Sequence, residues 1–204
     1  MLGQHKFQIA GPAGVLHGVV HMPAAEPRAI AIVAHPLPTM GGTMDNKIVT
    51  TLVKTFVELG YIAVRFNFRG VGDSSGSYDD GNGEVDDVLA IAHYAQDEFG
   101  KLPLILSGFS FGGYVQARAA EKLHPQKLVL VAPAVGRFAM PQVAANTLLI
   151  HGENDEVVAL SDVLNWARPQ HLPIVVVPEA THYFHGFLPL LKQIVSQHFT
   201  GVAI

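Results

Sequence analysis

The apolar residues of this chain are gathered into short runs. RAIAIVA (28–34), YIAVRFNF (61–68), LPLILSGF (102–109), KLVLVA (127–132), NTLLIHG (146–152) and PIVVVP (173–178) are strand-sized and mostly continuous rather than alternating. A strand that is apolar on both faces must be covered on both faces, which a parallel sheet flanked by helices achieves. The stretches between them supply those helices. MDNKIVTTLVKTFVEL (44–59) ends at Gly60 and EVDDVLAIAHYAQDEF (84–99) ends at Gly100. SFGGYVQARAAEKL (110–123), SDVLNWARPQ (161–170, stopped by Pro169) and HGFLPLLKQIVSQHF (185–199, with Pro189 near its first turn) follow. HKFQIA and GVLHGVVHM, joined by Gly-Pro-Ala-Gly, predict an opening antiparallel pair. The expected fold is α/β: one domain over residues 1–204, with a mostly parallel, open, twisted sheet and helices on both faces. Functional residues of such a sheet fall just after strands, at their carboxyl ends.

That rule decides between two serines. The pattern G-x-S-x-G occurs as GFSFG around Ser110 and as GDSSG around Ser74. Ser110 follows a strand without a spacer and opens a helix, so it would stand on a sharp turn at a helix N-terminus. Glycines on either side of it avoid collisions there. Ser74 sits several residues past its strand in the polar stretch RGVGDSSGSYDDGNG and reads as a chance match in a flexible loop.

A serine hydroxyl needs a base to take its proton and a carboxylate to orient that base. ENDEVV follows one later strand and EATHYFHG follows the next. Asp155 is the expected acid, with Glu153 and Glu156 as solvated loop carboxylates. His182 is the expected base, with His185 adjoining the last helix. An oxyanion hole needs two N–H donors. Phe111 supplies one. The turn HPLPTMGGT supplies the other from Leu37, because Pro36 and Pro38 have no N–H. Phe109, Phe138, Met140 and Tyr183 are candidates for an acyl pocket. Arg65 and Arg69 are read as structural ion pairs, with anion binding as the alternative. Asp45 is read as a helix cap, and Glu84, Asp86 and Asp87 as charges complementing a helix dipole. His151 is read as bonding a loop.

Composition narrows the classes. The chain has no Cys, a net charge of -4 and no basic run, so thiol chemistry, disulfides and a nucleic-acid surface are not expected. No apolar run approaches membrane-helix length, and MLGQHKFQIAGPAG lacks a signal pattern, so a cytoplasmic protein without membrane contact is expected. The eleven His include no H-E-x-x-H, and neither a metal nor a cofactor is expected. HPLPTMGGT is not a nucleotide-binding loop.

The stretches HPLPTMGGTMDNKIV, RFNFRGVGDSSGSYDDGNGEVDD, GFSFGG, HGENDEVV and THYFHG span nearly the whole chain. Together they resemble the α/β-hydrolase superfamily, and within it a small lid-less bacterial group related to dienelactone hydrolases. Members of that group usually read His-Pro-His-Pro where this chain has His35-Pro36-Leu37-Pro38. The resemblance implies the α/β-hydrolase fold, a Ser110–Asp155–His182 triad and esterase-like activity on a small-molecule acyl ester. PAVGRFAMPQVAA is too short for a lid domain. A thioesterase or acyltransferase would use the same residues, and a non-catalytic binding protein would use the same fold.

Overall fold

The computed structural model describes residues 3–201. Residues 1–2, the start of the N-terminal stretch read above, and 202–204 lie outside them, so the expected bounds of 1–204 do too. The strands are β1 (Gln4–Gly11), β2 (Gly14–His21), β3 (Ile30–Ala34), β4 (Ile62–Phe66), β5 (Leu104–Phe109), β6 (Lys127–Val131), β7 (Leu148–Gly152) and β8 (Ile174–Val177). The helices are α1 (Lys47–Glu58), α2 (Asn82–Phe99), α3 (Phe111–Leu123), α4 (Leu160–Ala167) and α5 (Leu188–Thr200). They build an eight-stranded sheet in the order β1-β2-β4-β3-β5-β6-β7-β8. The β1–β2 and β2–β4 pairs are antiparallel, and every pair from β4 to β8 is parallel.

The apolar runs explain this arrangement. Side chains alternate across a strand, so a run such as Ile30–Ala34 feeds two cores at once. Ile30 and Ile32 join one core with Val88 and Ile91 of α2, Val115 of α3 and Val163 of α4. Ala31 and Val33 join the other with Leu52 and Phe56 of α1 and Leu191 and Val195 of α5. The expected α/β architecture with helices on both faces is what forms. The run in β8 differs. It is the outer strand, so Val175 and Val176 stay 37% exposed.

Local boundaries moved where side chains settle them. The first helix starts at Lys47, and its cap is Asn46, whose side chain accepts from the Ile48 N–H at 2.8 Å. Asp45, the expected cap, instead pairs with Arg65. Arg69 binds Asp87, with Nη2 to Oδ1 at 2.8 Å and its backbone N–H to Oδ2 at 2.9 Å. Asp87 therefore serves a buried ion pair rather than the helix dipole. Glu84 accepts from the N–H groups of Asp79 and Gly81. Asp86 is half-exposed, 3.9 Å from Lys122.

The chain order creates a crevice. From β3 the connection runs through α1 to β4 on one side, whereas β5 lies on the other side of β3 and continues into α3. Outgoing connections from the adjacent β3 and β5 thus diverge to opposite faces, and the gap at their carboxyl ends is where such sheets bind ligands. The backbones approach closely there. A Cβ on Gly108 would overlap the Gly112 carbonyl, and one on Gly112 would overlap the Ala34 and His35 carbonyls. These atoms are backbone and cannot swing aside. Gly112→Ala is expected to destabilise the protein by about 2 kcal/mol or more, read as a lower urea midpoint at unchanged slope.

Candidate active site

Ser110 occupies the single residue between β5 and α3. Its backbone has φ 54 and ψ -117, a conformation that costs a non-glycine residue on the order of 1–3 kcal/mol. Hydrogen bonds hold it in place. The Ser110 N–H donates to Val131 O at 3.0 Å, and its carbonyl accepts from Gly113, Tyr114 and Ala134. The turn lifts the side chain off the sheet end, beside the first free N–H groups of α3.

His182 comes from the loop after β8, and its Nε2 lies 3.1 Å from Ser110 Oγ. Its Nδ1 lies 2.8 Å from Asp155 Oδ2. Asp155 Oδ1 accepts from the N–H groups of Val157 at 2.9 Å and Val158 at 2.7 Å. Burial by itself pushes the Asp155 carboxyl upward. The His182 hydrogen bond and charge and the two backbone donors outweigh it, and the group sits below its ordinary value. An ionised Asp155 fixes the Nδ1–H tautomer of His182, which leaves Nε2 facing the serine as an acceptor. The three side chains therefore form one hydrogen-bonded chain that ends at a hydroxyl lining a cleft. Such a chain can take the serine proton and later return it to a leaving group.

The surrounding carboxylates and histidines have definite tasks. Glu156, expected to be a solvated loop residue, accepts from the His182 N–H at 3.1 Å, and Glu153 accepts from the Glu179 N–H at 3.0 Å. Both tie the loop after β7 to the loop after β8. His151 Nε2 donates to Val158 O at 2.9 Å and lies 3.5 Å from Asp155 Oδ2. Burial lowers its pKa, so it supports the acid as a neutral ring. His185 is exposed, and its ring lies tilted against Tyr183 with centroids 5.8 Å apart. Ser74 is not in a free loop. It is 5% exposed, donates to Asn67 O at 2.8 Å and accepts from the His17 N–H at 3.0 Å, so its hydroxyl is a structural tie.

Ser110 and His182 open into a cleft of about 190 Å3. Leu37, Met40, Phe111, Phe138, Val157 and Tyr183 form much of its wall. Of the four residues expected in an acyl pocket, Phe138 and Tyr183 line it. Phe109 is fully buried beneath His182, with ring centroids 5.0 Å apart, and Met140 packs against the core. Met40 and Val157 take their place. Neither was evident from sequence, because both sit in loops whose path depends on packing.

His35 is the residue that sequence reasoning passed over. It is fully buried. Its Nδ1 donates to Pro36 O at 2.7 Å, and its Nε2 accepts from the Phe68 N–H at 3.1 Å. In a trans peptide the C=O and N–H point in opposite directions. Anchoring the Pro36 carbonyl on His35 thus turns the Leu37 N–H the other way, and that N–H has no backbone acceptor among the described residues. The Leu37 carbonyl is tied back by Met40 and Gly42 N–H groups.

The neutral ring is essential to this arrangement, and burial holds the His35 pKa down at about 4, below its ordinary 6.5. Below pH 6.5 the unfolded chain binds a proton that the folded protein refuses. The stability His35 contributes is therefore complete above that pH and is lost as pH falls toward about 4. It amounts to about 3 kcal/mol. His35→Asn keeps a donor near Pro36 but cannot titrate. Its unfolding free energy, measured by urea between these pH values, is expected to vary less steeply with pH than that of the wild type.

Among the described residues no group of His, Asp and Glu could hold a metal ion, and no helix is long and apolar enough to cross a membrane. Comparison with known proteins shows the family and the fold. Residues 25–144 match the family described as serine aminopeptidase, S33. An uncharacterised protein of Rickettsia prowazekii is 32% identical over 85% of this chain and 79% of its own length. A lid-less α/β serine hydrolase from Xanthomonas campestris has a TM-score of 0.91 at 39% identity, covering 97% of this chain and 94% of that one. An α/β serine hydrolase homologue from Coxiella burnetii has a TM-score of 0.88 at 38% identity, covering 96% and 97%. The likeness to dienelactone hydrolases rests on sequence motifs alone.

Proposed function

Because the chain belongs to the α/β-hydrolase superfamily, in the family described as serine aminopeptidase, S33, we propose that it hydrolyses carboxylic esters of small acyl groups through an acyl-enzyme on Ser110. The observation that carries this reading is the hydrogen-bonded chain from Ser110 Oγ through His182 to Asp155, at the mouth of a small, mainly apolar cleft.

His182 Nε2 takes the Ser110 proton as Oγ bonds to the ester carbonyl carbon. The carbonyl oxygen becomes an oxyanion, held by the N–H groups of Leu37 and Phe111, which both line the cleft. The C–O bond to the alcohol then breaks, and His182 gives its proton to the departing oxygen. Water, deprotonated by His182, attacks the acyl-enzyme and frees the acid and Ser110.

The cleft volume of about 190 Å3 lies below the roughly 300 Å3 at which drug-sized ligand sites begin. This favours short acyl chains. Thioesters fit the same machinery. Aminopeptidase action would require an acidic group for the substrate's free ammonium. No Asp or Glu lines the cleft among the described residues, and Arg137 is the Lys or Arg side chain that does.

Labelling with a fluorophosphonate, located by mass spectrometry, tests the nucleophile. The label is expected on Ser110, absent in Ser110→Ala and much reduced in His182→Ala. An unlabelled, folded wild type would refute the acyl-enzyme reading. With para-nitrophenyl esters, acetate and butyrate are expected to turn over faster than laurate. The oxyanion hole has its own test. Leu37 has φ -52, which proline can adopt, so Leu37→Pro removes the N–H while keeping that dihedral. It is expected to lower kcat roughly a hundredfold or more, with Leu37→Ala, which keeps the N–H, reporting the loss of side-chain packing alone.

A further inference from the structure

The arginines that the sequence offers as anion binders are engaged elsewhere: Arg65 pairs with Asp45 and Arg69 with Asp87. Arg137 is different. It lies between β6 and β7, lines the cleft together with Ser110 and His182, and is exposed. Among the described residues it forms no ion pair. Asp162 packs against the adjacent Gly136 without pairing with it. The chain as a whole carries a net charge of -4, so a lone cation here is not a by-product of a basic surface.

It has an aromatic neighbour. The guanidinium carbon stands 5.9 Å from the centroid of the Phe138 ring. Phe138 is itself stacked on Tyr114 at 4.7 Å and lies 5.3 Å from Phe111, the residue after the nucleophile. A guanidinium this close to a ring face is attracted by the ring's quadrupole, and its N–H groups remain available to another partner. Those N–H groups match a pair of anionic oxygens, which a guanidinium can bind through two parallel hydrogen bonds.

We propose that Arg137 determines specificity in this cleft, and that the preferred substrate carries, besides its scissile ester, an anionic oxygen group such as a carboxylate or a phosphate. The proposal rests on the ester-hydrolase reading above and adds to it the charge of the substrate.

Two matched pairs of esters test it. Para-nitrophenyl butyrate against mono-para-nitrophenyl glutarate places a carboxylate on the acyl side. Monobutyrin against butyrylglycerol phosphate places a phosphate on the alcohol side. In at least one pair kcat/KM is expected to favour the charged member about fivefold at low salt. The ratio of charged to neutral is expected to fall to about one in Arg137→Ala and to invert in Arg137→Glu. The pair that responds identifies the anion. A ratio that favours neither member, or is the same in wild type and Arg137→Ala, overturns the proposal. If no ester is cleaved at all, the ester reading fails, and calorimetry then decides the anion site separately. Ser110→Ala is titrated with the intact charged esters, with and without Arg137→Ala. Binding that weakens about fivefold on loss of Arg137 supports the site, and equal binding refutes it.

Discussion

The close meeting of three backbones, at the ends of β3 and β5 and the start of α3, is the constraint on which the site depends. Ser110 can hold its unfavourable dihedrals only because Val131 and Ala134 bond it from one side and the first turn of α3 from another. Gly108 and Gly112 let those backbones come within reach of each other. Each of the two cores packs one side of the sheet and presses the elements together. Local strain at one residue is thus sustained by apolar burial distributed over the sheet, which is how strained functional geometry persists in a protein of ordinary stability.

From that fixed point the remaining parts arrive on separate strands. β7 ends in the loop that carries Asp155, β8 ends in the loop that carries His182, and Glu153 and Glu156 link the two loops. β3 ends in the turn whose direction His35 sets. Buried and neutral, His35 serves the site as a hinge pin does, through a peptide it never replaces. On the proposed reading, the Leu37 and Phe111 N–H groups would need little reorganisation as an oxyanion forms.

Much of this was legible in the sequence, for physical reasons. Continuous apolar runs demand coverage on both faces, and G-x-S-x-G with no spacer between strand and helix demands a sharp turn. The carboxyl-end rule places Ser110, Asp155 and His182 just after strands, and their chain order is the one expected of this fold type. What was not legible depended on choices between equivalent partners. Asp45 and Asn46 are both good caps, and only the presence of Arg65 across the strand decides between them. Phe109 and Phe138 are both aromatic residues near the nucleophile. The parity of β5 sends Phe109 under His182, whereas Phe138 lies in a connection whose course no periodicity encodes. Ser74 had the right pattern and the wrong depth, since its hydroxyl is consumed by Asn67 and His17. His35 escaped notice because its work is done by two hydrogen bonds to backbone, and such bonds leave no motif.

Among the described residues, the connection from β6 to β7 carries no helix that could serve as a lid. An enzyme with a closing cover can make the right substrate drive the assembly of its catalytic site and so reject imitators twice. Here the apparatus stands assembled, and selection is left to the walls. A single methylene changes fit by only about 1–3 kcal/mol. On the proposed reading, an apolar wall alone would then sort esters weakly, and a charged wall residue such as Arg137 would carry most of what discrimination the open cleft has.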